Sequence, residues 1–231
     1  ISCMKGKLMQ GISNVSKAVS TKTTHPILSC IFIEAENGNI KLTANDMEIG
    51  IESYVEGTVI EEGKVAIEAK LLSDIVRKLP DSEIHMETNE DFKTTIKCEK
   101  SLFTIAGKSG EDFSSLPVVE KSKFITISQF TLREIINQTI FSISDSEYNN
   151  VMTGELFEVS NNRLRVVAID GHRIAIRNVE LKNESEDVKV IVPGKALSYI
   201  SKIVSGGVDD DVNIYFADNN ISVSYTHLTL P

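Results

Sequence analysis

Four consecutive residues, Asp170-Gly171-His172-Arg173, could do chemistry together. An acid, an imidazole and a guanidinium so close could serve as proton acceptor, general base and anion holder. Such a group still needs a nucleophile, and the sequence offers none. No serine or cysteine stands in an elbow-type motif, and neither Gly-x-Gly-x-x-Gly nor a Walker loop occurs. His25, His85, His172 and His227 do not cluster at ligand spacing, and there is no Cys-x-x-Cys, so no metal site is expected. A simpler role fits the same residues: a turn in which Asp170 caps backbone amides and Arg173 pairs with a carboxylate, with Gly171 chosen for its backbone freedom. No catalytic residue and no cofactor is expected.

The elements that must position this turn are two alternating apolar runs, Val167–Ile169 and Ile174–Ile176, read as strand, turn, strand. Asp46 lies 124 residues earlier, inside Ile40-Lys-Leu-Thr-Ala-Asn-Asp-Met-Glu-Ile-Gly-Ile51, where the same pattern recurs. The chain is a tandem repeat. In the first unit, Leu8, Ile12, Val15 and Val19 mark a helix over 5–20. Strands are expected over 27–35, 40–45, 49–59 and 64–69, then a helix over 70–79 stopped by Pro80, then strands over 84–88, 92–99 and 101–105. Asn37-Gly38 marks a hairpin. The second unit repeats the order: a strand at 123–127, a helix over 129–144, strands over 153–159, 164–169, 174–181 and 188–192, a helix over 193–204 ended by Gly206-Gly207, and strands over 212–216 and 221–225. Hairpin-spaced strands exclude a doubly wound sheet. The expected class is α+β, two helices packed on antiparallel sheets in each unit, with domains at 1–120 and 121–231.

With 231 residues, each unit can bury its own core. No apolar run approaches the ~20 residues of a membrane span, and the N-terminus lacks a signal-peptide pattern. Three irregularly spaced cysteines suit a reducing, cytoplasmic setting. The net charge of −9 argues against a polyanionic partner until it is divided. The four helical windows 5–20, 70–79, 128–144 and 194–204 carry +3, +2, 0 and +2, which is +7 together, so the rest of the chain carries −16. Lysines decorating solvated helix faces would account for any one helix. Across the set, a basic helix side and an acidic body would bind DNA weakly in free solution yet sit beside a duplex held there by other means.

The chain resembles the bacterial DNA polymerase III beta-subunit family, the replicative sliding clamps. The resemblance rests on Val15-Ser-Lys-Ala-Val19 with Thr24-His-Pro-Ile-Leu28, Leu42-Thr-Ala-Asn-Asp-Met-Glu48, Phe141-Ser-Ile143, Leu156-Phe-Glu158, Ala168-Ile-Asp-Gly-His-Arg-Ile-Ala175 and Val192-Pro-Gly-Lys195, in family order over nearly the whole chain. It implies a tandem repeat of clamp-type domains that closes head to tail into a homodimer ring, helices lining the hole. The ring encircles double-stranded DNA without sequence preference and tethers the DNA polymerase III catalytic subunit, the clamp loader and other clamp-motif proteins. No bond is made or broken, and no membrane is involved. By position, the implied DNA contacts are Lys22, Lys70, Arg77 and Lys195, with Ser146, Asn149 and Asn150 in a loop where asparagines replace the family's aromatic pair. The implied partner-peptide pocket is Val151, Ile169, Gly171, His172, Arg173 and Ile174, suited to short motifs with apolar anchors.

The family's third domain is missing, and with it half of the pocket and one dimer surface. Thr226–Pro231 does not resemble the family and reads as a truncated or foreign end, and Ile1 as a clipped start. Two other readings fit the same residues: an enzyme using the Asp170–Arg173 turn, and a purely structural or oligomerising repeat protein.

Overall fold

A computed structural model describes residues 1–20, 23–111, 113–117, 122–144, 151–204, 206–217 and 220–225. The chain divides into two compact units, Ile1–Leu116 and Pro117–Pro231, so the connection out of the first unit belongs to that unit.

The first unit contains β1 (Ser2–Met4), α1 (Lys5–Val15), β2 (Cys30–Glu36), β3 (Asn39–Asn45), β4 (Gly50–Val55), β5 (Gly57–Thr58), β6 (Gly63–Glu68), α2 (Ala69–Lys78), β7 (Glu83–Thr88), β8 (Lys93–Cys98) and β9 (Ser101–Ala106). They form two antiparallel sheets, ordered β4-β3-β2-β6 and β5-β1-β7-β8-β9. Helix α1 buries Leu8, Ile12 and Val15, and α2 buries Leu72, Ile75 and Val76. Both faces meet one core with Ile31, Leu42, Ile67 and Ile84.

The second unit repeats the plan with β10 (Phe124–Ser128), α3 (Gln129–Thr139), β11 (Gly154–Ser160), β12 (Arg163–Ile169), β13 (Ile174–Glu180), β14 (Val188–Pro193), α4 (Gly194–Ile203), β15 (Asp211–Phe216) and β16 (Ile221–Tyr225). Its sheets run β13-β12-β11-β14 and β10-β15-β16. Leu132, Ile135 and Ile136 of α3 and Leu197 of α4 pack on Phe157, Val159, Leu164 and Val166. The α+β architecture expected from the periodicity is present in both units.

Local differences have local causes. The expected strand over 49–59 is two strands in two sheets: β4 pairs with β3, and after Glu56 the chain passes to β1 as β5. Alternation persists through such a transfer, so it leaves no mark in the sequence pattern. Helices expected to reach 20 and 144 instead end at Val15 and Thr139 and tighten into 3-10 turns, Ser16–Ala18 and Ile140–Ser142. A 3-10 turn also replaces the first residues of the strand expected from 27, at Pro26–Ser29, because Pro26 is suited to the first position of a helical turn. Helix α4 ends at Val204 in extended backbone, before Gly206, so that glycine is not its cap.

The two hairpin turns answer each other. Asn37 and Gly38 both have positive φ, 51° and 76°, and Asn161 and Asn162, 124 residues on, have 49° and 58°. Two residues with positive φ give the twist that a two-residue antiparallel connection needs.

Candidate nucleic-acid and partner surfaces

The Asp170–Arg173 turn is built by its own aspartate. The Asp170 N–H donates to the Arg173 carbonyl at 3.3 Å, closing the loop between β12 and β13. Asp170 Oδ1 accepts the N–H groups of His172 and Arg173, both at 3.0 Å, and Oδ2 accepts Arg173 Nε at 2.6 Å. The His172 amide does most to hold the Asp170 carboxyl below the usual range; burial opposes it, and the Arg173 amide and guanidinium add to the lowering. Three of the carboxylate's roughly four acceptor sites are spent inside the turn, on its own backbone and on Arg173. The capping role is the one the geometry shows.

The first unit builds the same turn with different residues. Asp46 N–H donates to the Ile49 carbonyl at 3.1 Å, and Asp46 Oδ1 accepts Glu48 and Ile49 N–H at 3.0 and 2.8 Å. The residue after the aspartate has positive φ in both, 77° at Met47 and 90° at Gly171. Only Gly171 takes it without a Cβ penalty. Substitutions at the two positions should therefore have opposite signs: Met47→Gly is expected to stabilise the first unit by about 0.5–1 kcal/mol, and Gly171→Ala to destabilise the second by about 1 kcal/mol. Denaturant titration of each variant checks this. Met47 is 70% exposed, so little packing is lost there.

Around the Asp170 turn, Ile169 and Ile174 face each other across β12 and β13 on the side of the sheet away from the core, both exposed. The Arg173 guanidinium lies 5.9 Å from the ring centre of Phe141, which is itself exposed. Val151 is exposed as well. Ile169, Gly171, His172, Arg173 and Ile174 are thus contiguous along one hairpin, and Phe141 joins them through Arg173. Phe141 is missing from the pocket read in the sequence. The signal available was an aromatic at the end of a helical pattern, where it also fits a buried position.

The cations sit differently. Lys70 and Lys195 are each the second residue of a helix, α2 and α4, and both are exposed. Helix α1 opens with Lys5 and Lys7. None of the four helices has an acidic residue in its first turn, and among them only α3 has a side-chain cap, the Thr131 N–H donating to Ser128 Oγ at 3.1 Å. Arg77 lies in the last turn of α2, exposed and paired with Asp74. Lys22, Ser146, Asn149 and Asn150 lie outside the described residues.

Repeated antiparallel α+β units with basic helix starts and an apolar, arginine-edged hairpin define a clamp-type binding protein. The chain belongs to the DNA polymerase III beta-subunit family: residues 1–117 match its N-terminal domain and residues 126–230 its central domain. It is 39% identical over 218 residues to the beta sliding clamp of Staphylococcus epidermidis, covering 91% of this chain and 58% of that one. Among solved structures it is similar to a Eubacterium rectale protein assigned as a DNA polymerase III beta subunit (54% identity, TM-score 0.94, 97% of this chain and 61% of that one). The Bacillus subtilis DNA polymerase sliding clamp aligns over 100% of this chain and 65% of its own, with 30% identity and a TM-score of 0.88. The fold is the clamp fold, and the chain spans less than two thirds of the relatives it matches.

Proposed function

We propose that this chain is the N-terminal and central part of a sliding clamp, a non-catalytic processivity factor that, as a homodimer ring in the cytoplasm, encircles duplex DNA. One observation carries the reading. Lysine in the first turn opposes the helix dipole, which favours anions there, and each misplaced charge costs roughly 0.3–1 kcal/mol. Lys70 and Lys195 stand at that position in corresponding helices of the two units. Helix stability does not explain them, whereas a polyanion facing the two helix starts and their ammonium groups does. Lys70, Arg77 and Lys195 are the DNA contacts in this reading, joined by Lys22, Ser146, Asn149 and Asn150. The hairpin at Ile169–Ile174, with Val151, takes short apolar motifs of the polymerase III catalytic subunit, the clamp loader and other clamp-binding proteins.

The test uses the full-length protein, loaded on nicked circular DNA by a clamp loader and washed at high salt. Retention on circles with loss after linearisation is expected, because screened contacts alone do not hold a protein that can slide off an end. Equal loss from both would discard the ring.

A further inference from the structure

Asparagine followed by glycine occurs once in the chain, at Asn37-Gly38, and aspartate followed by glycine once, at Asp170-Gly171. In both pairs the glycine amide nitrogen is a single ring closure away from the side-chain carbonyl carbon of the residue before it. Glycine has no Cβ to shield that nitrogen, so it hinders the closure least. The structure gives the two pairs opposite surroundings.

Asn37 and Gly38 are exposed, in the turn between β2 and β3. The Asn37 N–H donates to Glu62 Oε1 at 2.8 Å, and its carbonyl accepts from Asn39 Nδ2 at 3.2 Å. Among the described residues nothing holds its side-chain amide. A Cβ built on Gly38 would meet no atom within 4 Å, so the space around the attacking nitrogen is open. The Asn37 side chain is a neutral carboxamide, an electrophile whose leaving group is ammonia.

Asp170 has the same following glycine and none of this freedom. Its carboxyl is held ionised by three hydrogen bonds from its own turn, and a carboxylate resists nucleophilic attack. The turn that matches Asn37-Gly38 in the second unit is also guarded. Asn161 is followed by Asn162, which carries a Cβ and is anchored twice to Leu181: its side chain donates to the Leu181 carbonyl at 3.3 Å, and its carbonyl accepts the Leu181 N–H at 3.0 Å.

We propose that Asn37 is a site of spontaneous deamidation and backbone isomerisation. The Gly38 nitrogen attacks Asn37 Cγ. The N–Cγ bond forms, the Cγ–Nδ2 bond breaks, and Nδ2 leaves as ammonia with the Gly38 amide proton. The five-membered imide then takes up one water: opening at Cγ gives aspartate, and opening at the main-chain carbonyl gives isoaspartate. Nothing is oxidised or reduced. Either product places a carboxylate next to Glu36 and facing Glu62, whose carboxylate already accepts the Asn37 N–H. Isoaspartate also adds one atom to the main chain of a connection that depends on two residues of positive φ. The modified hairpin frays at its β2–β3 end, in the first unit alone. This chemistry is independent of DNA encirclement and of the partner hairpin.

The native chain tests it. Samples held at pH 8 over weeks are digested under mildly acidic conditions and read by mass spectrometry with electron-transfer fragmentation, which separates isoaspartate from aspartate. Asn37 is expected to convert at least tenfold faster than Asn161, with isoaspartate in excess, while Asp170 keeps its ordinary backbone. Asn162→Gly carries the pair to the matching turn, where φ is already 58°, and should speed conversion of Asn161 at least tenfold. Conversion of Asn37 no faster than that of Asn161 in the native chain would overturn the proposal. So would aspartate as the sole product, which direct hydrolysis gives without the imide. No acceleration in Asn162→Gly would overturn it equally, since the pair would then not set the rate.

Discussion

Glu155→Gln is expected to stabilise the second unit relative to the native chain by an amount that grows with pH, reaching about 3 kcal/mol between pH 4.5 and pH 8. Glu155 is fully buried on β11, facing the end of α3. Burial pushes its carboxyl up to about 7 from an ordinary 4.5, and the Thr139 hydroxyl offsets that only in part. Thr139 Oγ1 lies 2.8 Å from the Ile135 carbonyl and 3.0 Å from both Glu155 oxygens. A hydroxyl has one proton to donate. With Glu155 protonated, the acid donates to Thr139 and Thr139 donates to Ile135; with it ionised, Thr139 must turn to the carboxylate. The folded value is raised, so the stability this group contributes is fully present below pH 4.5 and is lost as pH rises through 7. Glutamine keeps the donor and never ionises. Amide exchange at Phe157 and Val166, compared between the two chains at pH 5, 6.5 and 8, measures the difference. A difference constant over that range would show that the carboxyl ionises without cost.

The second large effect separates folding from DNA binding. In the full-length protein, Lys70→Glu, Arg77→Glu and Lys195→Glu together are expected to abolish measurable affinity for short linear duplex at moderate salt and to flatten the dependence of log affinity on log salt by about 3 per subunit, close to one for each lost phosphate contact. Stability should move the other way at two of the sites. A carboxylate in the first turn suits the dipole, so Lys70→Glu and Lys195→Glu should each gain about 0.3–1 kcal/mol. Arg77→Glu should lose a few tenths, since it leaves two acids at i and i+3 beside Asp74 in a last turn that favours cations. Filter binding over a salt series and thermal unfolding of the same chains check both halves. Unchanged affinity and salt dependence would return these lysines to plain surface decoration and would favour a structural repeat protein.

Much of this was legible in the sequence for identifiable reasons. Helix faces such as Leu132-Ile135-Ile136 and strands such as Leu164–Ile169 carry their period in the chain itself, and the 124-residue spacing of Asp46 and Asp170 exposes the repeat. The turn chemistry of Asp170 was equally local, because every atom it caps lies within three residues. Phe141 was not legible as a neighbour of Arg173, since they meet through packing of segments 32 residues apart. Glu155 gave no warning either: one acid in an alternating strand reads as solvent-facing, and only the pairing register turns it inward.

The sequence alone determined the α+β class, the two repeated units, the placement of positive charge on helices and the family. Each follows from periodicity, composition or motif, which are properties of neighbours along the chain. The tertiary structure decided that β4 and β5 belong to different sheets, that Phe141 meets Arg173 and that Glu155 is buried. Those depend on register and on contacts between distant residues. A one-residue shift in the pairing of β11 would turn Glu155 to the opposite face of its sheet while leaving the sequence pattern unchanged.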